Sequence, residues 1–182
     1  FNEPKTIGKA IDSFLNQKIK EKYELIVAAP DKQTWDIVER YKKNNKGINI
    51  FKDPGKGKSY ALNLLLPKLK GDILIFTDGD VYVSENSINE ILKLFDDSKV
   101  GCVSGRPVSQ NSKENIFGYW SHLLCDSADK WRKERNAHDK FLECSGYLWA
   151  FRNRVIKKFP LDVAEDTIVP MMFYLKGYKI KY

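Results

Sequence analysis

The chain has 182 residues, of which 42% are hydrophobic and 30% are charged, a balance typical of a folded globular domain and not of a disordered chain. No apolar run approaches the roughly 20 residues of a membrane-spanning helix, and no secretory signal peptide is visible. The three cysteines are widely spaced without a Cys-x-x-Cys pair, which argues against a disulfide framework or zinc site and favours reduced thiols in the cytoplasm. A net charge of +7 fits phosphate-bearing substrates, an anionic membrane or nucleic acid, and does not choose among them.

Helical and strand-like patterns alternate along roughly the first hundred residues. Apolar residues recur at helical spacing in four segments, and a short apolar run of buried-strand type follows each of them. This order predicts a three-layer α/β/α fold with a mostly parallel sheet that is covered on both faces. The predicted helices are 7–15, 34–41, 59–66 and 88–95, and the predicted strands are 23–28, 48–51, 72–77 and 100–104.

The regular alternation ends after Arg106, where a polar loop is predicted. A longer helix follows over 116–135, and a last helix contains Ile168 and Leu175 and closes at Gly177. We expect a single domain over residues 1–182 that continues beyond both ends of this sequence. The remaining predicted strands are 141–144, 147–151 and the closing stretch 177–182.

Charged residues follow three of the predicted strands. Asp31 follows the first, three lysines lie in the segment 52–58 after the second, and Asp78-Gly79-Asp80 follows the third. Open parallel sheets bind ligands in the crevice beyond the carboxyl ends of their strands. Carboxylates and lysines brought to one edge suit a phosphate ester held by a divalent cation.

The motif Asp78-Gly79-Asp80 is the central candidate site. Two carboxylates at the end of a buried strand are costly unless something compensates them, and Mg²⁺ or Mn²⁺ with oxygen ligands does so while bridging to a diphosphate. An exposed Asp-Gly turn is the structural alternative. The nearby run Gly55-Lys56-Gly57-Lys58-Ser59 is not a P-loop, because the first glycine of that motif would fall at Lys52. It can still bring backbone N–H groups and a lysine to a phosphate.

Glu165 and Asp166 open the last predicted helix. Acidic residues at this position complement the helix dipole, which is the structural interpretation. The functional interpretation is a general base that takes a proton from a hydroxyl at the mouth of the crevice. The pattern alone leaves both open.

Taken in order, these segments resemble the family 2 glycosyltransferases, which have a Rossmann-like GT-A fold. The resemblance covers nearly the whole chain, although each motif is weak by itself. The family's first strand is absent here, and only Asp31 stands where Asp-Asp is commoner. The Q-x-x-R-W motif of processive members does not appear before the given sequence ends, which leaves processivity undecided. The matching segments are Phe1-Asn2-Glu3-Pro4, 24–31, 57–63, Asp78-Gly79-Asp80, 100–105, 146–152, Glu165-Asp166 and 177–180.

The resemblance implies an inverting transfer of a sugar from a nucleotide-diphosphate donor, with UDP expected, to a hydroxyl of a glycan or lipid-linked acceptor. It places Asp78 on the ribose or metal side, Asp80 on a Mn²⁺ or Mg²⁺ ion and Asp166 as the general base. The other implied nucleotide-side residues are Asn2, Glu3, Asp31 and Lys58, and the implied acceptor-side residues are Ser145, Gly146, Trp149 and Glu165. Trp149 could stack on a sugar or simply fill the core.

Two other function classes remain open on the sequence. A sugar nucleotidyltransferase shares the sheet plan and a metal-bound aspartate, but it usually opens with a glycine-rich basic loop, which Asn2-Glu3-Pro4 does not resemble. A basic nucleotide- or nucleic-acid-binding module would need a lysine stripe with exposed aromatic residues, whereas the lysines here are scattered. Nucleic acid is therefore not an expected partner.

The predicted helix over 116–135 carries Trp120, Trp131 and several basic residues. This composition predicts that the helix covers the acceptor side and touches an anionic membrane or a lipid-phosphate acceptor. The alternative is an ordinary amphipathic surface helix with its apolar face turned inward. The expected location is the cytoplasm, including the cytoplasmic face of a membrane if segments outside this sequence anchor the protein there.

Overall fold

A computed structural model describes residues 2–182, and Phe1, the first residue of the opening motif, lies outside the described residues. The elements follow the predicted alternation as far as the fourth strand. The helices are α1 (Ile7–Leu15), α2 (Lys32–Asn44), α3 (Lys58–Leu65), α4 (Ser87–Leu94), α5 (Ile116–Ala137) and α6 (Glu165–Leu175), with a short 3₁₀ helix at Leu66–Lys68. The strands are β1 (Leu25–Ala29), β2 (Ile48–Lys52), β3 (Ile73–Thr77), β4 (Val100–Ser104), β5 (Leu148–Arg152) and β6 (Lys179–Lys181).

The strands form two hydrogen-bonded groups. The strands β1 and β2 pair in parallel, and the second group has the order β3-β5-β4-β6. The strand β5 runs antiparallel to β3 and β4, whereas β4 and β6 are parallel. The predicted α/β class is thus confirmed, and three strands of the larger group share one direction.

Helices cover both faces of the larger group, as the three-layer prediction requires. In β3, Leu74 packs with the Trp149–Phe151 core beneath α3 and α6. The alternate residues Ile73 and Ile75 pack with Ile91 of α4 on the other face. This separation follows from the two-residue period of a strand, which sends successive side chains to opposite faces.

The prediction of a strand at 141–144 is wrong. Its backbone groups bind side chains and a helix terminus instead of a sheet partner. The carbonyl oxygens of Phe141 and Glu143 accept hydrogen bonds from Arg135 and Arg132 of α5, and Cys144 N donates to the Asp166 carbonyl oxygen at 3.1 Å. The segment therefore joins α5 to the start of α6.

Within residues 2–182, no helix combines the length and apolar character that crossing a membrane requires. The three cysteines are free, with Cys102 and Cys144 buried in the core around Trp149. They act there as small apolar side chains, and burial raises the pKa of the Cys102 thiol well above its usual value.

Candidate functional site

The opening turn and the end of β1 meet at one edge of the fold. The backbone N–H of Asn2 donates to Asp31 Oδ2 at 3.0 Å, and the backbone N–H of Glu3 donates to Thr34 Oγ1 at 3.2 Å. Glu3 also packs against the loop after β3, because a Cβ atom at Gly79 would lie 3.4 Å from Glu3 Cγ. The structure thus brings Asn2, Glu3 and Asp31 together with the Asp78-Gly79-Asp80 loop, as the motif order predicted.

Asp31 has a structural role that the sequence analysis did not assign. It is the N-cap of α2, and its Oδ1 accepts a hydrogen bond from Thr34 N at 2.8 Å. Burial by itself would raise the pKa of Asp31, but the hydrogen bonds from Thr34 and Asn2 outweigh it and hold the pKa below its ordinary value. The carboxylate is therefore ionised and fixed, which leaves it able to accept a further hydrogen bond from a ligand.

The glycine-lysine loop sets the start of α3. Gly57 is the residue before the helix and has φ of 96°, a left-handed conformation that favours glycine. This turn places Lys58 at the first helical position, beside the loop that follows β3. The helix N-terminus and the lysine then face the same region, which suits an anion.

Lys58 joins the two halves of the candidate site. Its Nζ lies 2.8 Å from Asp78 Oδ1 and 2.7 Å from Glu165 Oε1. Burial by itself would lower the pKa of Lys58, but Asp78 and Glu165 raise it above its ordinary value, so the lysine stays charged. One cation therefore fixes the separation between the Asp78 loop and the start of α6.

A second contact from α3 holds the segment that leads to Glu165. The Asn63 side chain accepts from Phe159 N at 2.7 Å and donates to Phe159 O at 2.9 Å. This pair of hydrogen bonds satisfies both backbone groups of Phe159, whose ring is fully buried. Asn63 and Lys58 thus hold the two ends of the segment 159–165, which leads into α6.

Asp166 lies at the N-terminus of α6, next to the glycine of the predicted acceptor segment. A Cβ atom at Gly146 would lie 2.8 Å from Asp166 Oδ2, so any larger residue would displace the carboxylate. Burial, and then the charge of the neighbouring Glu165, raise the pKa of Asp166 above its ordinary value. A carboxylate with a raised pKa is a stronger base, which is the property a general base needs.

The acceptor-side residues divide into two groups. Gly146 and Glu165 lie beside Asp166 and Lys58, respectively, whereas Ser145 is buried and its backbone N–H donates to Ser104 Oγ at 2.9 Å. Trp149 is fully buried against Phe76, with ring centroids 5.3 Å apart, so the prediction that it stacks on a sugar is wrong.

Tyr147 is the exposed aromatic residue of this segment. Its side chain is 54% exposed, and its carbonyl oxygen accepts a hydrogen bond from Thr77 Oγ1 at 2.8 Å, directly before Asp78. Trp149 and Phe151 lie two residues apart in β5 and point into the same core, whereas Tyr147 precedes the strand and is not held by its alternation. Tyr147 is therefore the aromatic side chain available to a ligand here.

The oxygen-rich loop after β3 fits a cation only if a ligand completes the site. Asp80 is exposed and Asp78 is partly exposed, and both offer the hard oxygen atoms that Mg²⁺ and Mn²⁺ prefer. Across residues 2–182, no three His, Cys, Asp or Glu side chains converge in a way that could hold a metal ion. A diphosphate would have to supply the remaining oxygen atoms.

Cavity volume does not identify the site. A cavity of about 310 Å³ is lined by Lys20, Asn89 and Lys93, none of which is a predicted site residue. A narrower cavity of about 110 Å³ lies between β1 and the end of β3, with Glu3, Asp78 and Gly79 at its border. The converging charges, and not the space, mark the candidate site.

Comparison with known proteins identifies the family of this chain. The family model described as Glycosyl transferase family 2 matches residues 1–159. This chain belongs to glycosyltransferase family 2. Among its relatives in the family, poly-β-1,6-N-acetyl-D-glucosamine synthase of Staphylococcus aureus is 25% identical over 194 residues, covering 100% of this chain and 46% of the relative. Hyaluronan synthase of Streptococcus pyogenes is 28% identical over 102 residues, covering 56% of this chain and 24% of the relative.

Solved structures of glycosyltransferases confirm the GT-A fold. The mannosyltransferase PcManGT of Pyrobaculum calidifontis, in complex with GDP-Man and Mn²⁺, has a TM-score of 0.76 at 22% identity, covering 100% of this chain and 51% of that one. S. aureus TarS 1-349 has a TM-score of 0.65 at 20% identity, covering 99% of this chain and 54% of that one. The chain spans about half the length of the curated relatives it matches.

Several site contacts had no signal in the sequence. The Lys58–Glu165 ion pair and the Asn63–Phe159 pair join residues far apart in the chain, and no spacing rule relates them. Arg152, the arginine of the predicted acceptor segment, binds carbonyl groups after α4, including Val100 O at 2.8 Å. That arginine is structural in this fold.

Proposed function

We propose that this domain transfers a sugar from a nucleotide-diphosphate donor to a hydroxyl group, with inversion at the anomeric carbon and Asp166 as the general base. The donor proposed is a UDP-sugar, and the acceptor is a glycan or a lipid-linked glycan. The observation that carries the proposal is the contact of Lys58 with both Asp78 and Glu165, which sets donor-side and acceptor-side carboxylates around one crevice.

On the donor side, Asn2, Glu3 and Asp31 would hold the base and Lys58 the phosphates. Asp31 favours uracil, because a carboxylate accepts a hydrogen bond from the imide N–H, whereas the matching ring nitrogen of cytosine is itself an acceptor. Asp80, with Asp78, would hold Mn²⁺ or Mg²⁺, which when bound neutralises charge on the departing diphosphate. The Mn²⁺ and GDP-Man bound by PcManGT support the proposal of a metal ion and a nucleotide-sugar at this edge. They also make GDP the nucleotide to compare with UDP.

On the acceptor side, Asp166 takes the proton of the attacking hydroxyl as the new bond to the anomeric carbon forms. A positioned base of this kind contributes about 10²–10⁴-fold to rate. Gly146 leaves space for the carboxylate, and Tyr147 offers a ring on which a sugar can stack. The names of the relatives make N-acetylglucosamine the first sugar to test.

Two aspartate variants separate the proposed roles. Asp166→Asn should bind UDP and Mn²⁺ as the parent does but transfer sugar about 10²–10⁴-fold more slowly. Asp80→Asn should lose Mn²⁺-assisted UDP binding as well as transfer. Asp162→Asn, an exposed change close to α6 in the same chain segment, is the matched control and should change neither.

Calorimetry with UDP, CDP and GDP, with and without Mn²⁺, should accompany a transfer assay over a panel of nucleotide sugars. Equal UDP affinity in the presence and absence of Mn²⁺ would remove the metal from the proposal. Transfer by Asp166→Asn at near the parent rate would remove Asp166 and leave Glu165 as the next candidate.

A further inference from the structure

The long helix α5 is turned with its apolar face outward. Because an α-helix rotates by about 100° per residue, positions 116, 120, 123, 124 and 131 lie on one face. All five carry large apolar side chains, and all are exposed, by 66%, 53%, 42%, 66% and 43% respectively. We call this surface the α5 stripe; it consists of Ile116, Trp120, Leu123, Leu124 and Trp131.

The opposite face of α5 is polar and is fixed to the domain. Gly118 lies against the preceding loop so closely that a Cβ atom would fall 1.8 Å from Ser112 O. His122 Nε2 lies 2.8 Å from Asn111 O. Asp129 is buried and accepts a hydrogen bond from the Tyr182 hydroxyl at 2.9 Å. These contacts prevent the helix from rotating to bury its stripe.

The inner face of α5 is held mainly by loops and the chain end, and α5 has no extensive contact with another helix or strand within residues 2–182. A helix that presents an apolar ridge suits a flat, deformable lipid bilayer better than it suits the rigid surface of another protein. An ordinary amphipathic surface helix has the reverse orientation, with apolar residues inward.

The charged residues around the stripe indicate which kind of apolar partner it contacts. Lys130 and Arg135 border the stripe in the last two turns of α5, and the Arg135 guanidinium stacks over the Trp131 ring at 5.2 Å. Lys133 is turned inward, to its ion pair with the buried Asp129 at 2.8 Å. The exposed Glu134 lies on the same face near the end of α5, so two basic residues and one acidic residue border the stripe, in a chain with a net charge of +7. Tryptophan beside arginine at the edge of an apolar face suits the boundary between acyl chains and phosphate headgroups.

We propose that the α5 stripe docks the domain on an anionic lipid bilayer, with Trp120, Leu124 and Trp131 entering the interface and the nearby basic residues facing the lipid phosphates. The helix lies in the plane of the surface and does not cross it. Docking does not depend on the proposed sugar transfer, because it uses no residue of the candidate site. It would hold that site close to a lipid-linked acceptor.

Vesicle flotation of the full chain at low salt tests the proposal. The chain should float with vesicles that contain phosphatidylglycerol, and should do so at least about 10-fold less with pure phosphatidylcholine. The double variant Trp120→Ser/Leu124→Ser should lose about 10-fold or more of its binding, because two interfacial anchors are removed. Leu175→Ser is the matched control, since Leu175 is 78% exposed at the end of α6, and it should float like the parent.

Two further measurements distinguish a lipid bilayer from a second copy of the chain as the partner of the α5 stripe. Vesicles with brominated acyl chains should quench the parent's tryptophan fluorescence, and should quench it much less in Trp120→Ser/Leu124→Ser. Sedimentation velocity without lipid should show one monomeric species for both proteins. A parent that stays unbound to phosphatidylglycerol vesicles, binds both lipids equally, or forms dimers that the double variant breaks would overturn membrane docking. Circular dichroism should show equal helix content in all variants.

Discussion

Replacing Lys58 by methionine tests whether one lysine joins the two halves of the site. The Glu165 side chain is only 12% exposed, so the change leaves a largely buried carboxylate without its cation. Breaking a fully buried pair costs about 3–5 kcal/mol, and an exposed pair is worth about 0–1 kcal/mol. Lys58 is 45% exposed, so we expect the free energy of unfolding to fall by about 1–2 kcal/mol.

Urea denaturation at neutral pH and low salt measures this loss. For a domain of 182 residues, the same change should lower Tm by about 2–8 °C. A double-mutant cycle with Glu165→Gln isolates the pair, because the glutamine removes the stranded charge. We expect Lys58→Met/Glu165→Gln to be more stable than the sum of the two single changes predicts, by about 1 kcal/mol.

The control is Lys32→Met, which breaks the exposed pair between Lys32 and Asp36, whose side chains are 78% and 54% exposed. That loss should stay below about 0.5 kcal/mol. If the Lys58 and Glu165 changes add to within about 0.3 kcal/mol, the ion pair does not stabilise the fold, and the coupling of donor and acceptor sides through Lys58 is refuted.

Three other predictions concern the site and the core. Asp31→Asn should keep the cap of α2, since asparagine caps as well as aspartate, but should reduce the preference for UDP over CDP by about 1–3 kcal/mol in calorimetry; an unchanged preference would count against base recognition. Glu165→Gln should move the acid limb of the pH–rate profile to lower pH, because Glu165 raises the pKa of Asp166 and the base must be deprotonated; an unmoved limb contradicts this. Gly101→Ala should lower the free energy of unfolding by about 1–3 kcal/mol, because its Cβ atom would lie 2.5 Å from the Phe173 ring; wild-type thermal stability would show that the ring can move.

The periodic part of the fold could be predicted from the sequence. The first four helices and strands follow apolar spacing, because each buries one face and the spacing records that face. The direction of β5 could not be predicted, since an apolar run does not record whether its partners are parallel. The segment 141–144 looked like a strand for a related reason: Leu142 and Cys144 are buried, but Arg132 and Arg135 bind the backbone of the segment.

The candidate site was predictable where its residues lie at the ends of helices and strands. Asp78, Asp80, Lys58 and Asp166 all lie at element ends, and the topology brings these ends together. Trp149 was misassigned although its alternation with Phe151 places both in one core. The apolar pattern of α5 gave the existence of the helix, but the orientation of its face depends on polar contacts with loops that periodicity does not report.

The helix α3 explains why a short motif is needed at this point of the chain. Gly57 supplies the left-handed turn that starts the helix, and Lys58 meets Asp78 and Glu165 from the first turn. Ala61 and Leu62 are buried, which fixes the helix against the sheet, and Asn63 then binds the backbone that leads to α6. Because a single rigid helix makes both contacts, a shift on one side of the crevice must move the other. The spacing between Lys58 and Asn63 therefore fixes the geometry between the proposed diphosphate side and Asp166, the proposed base.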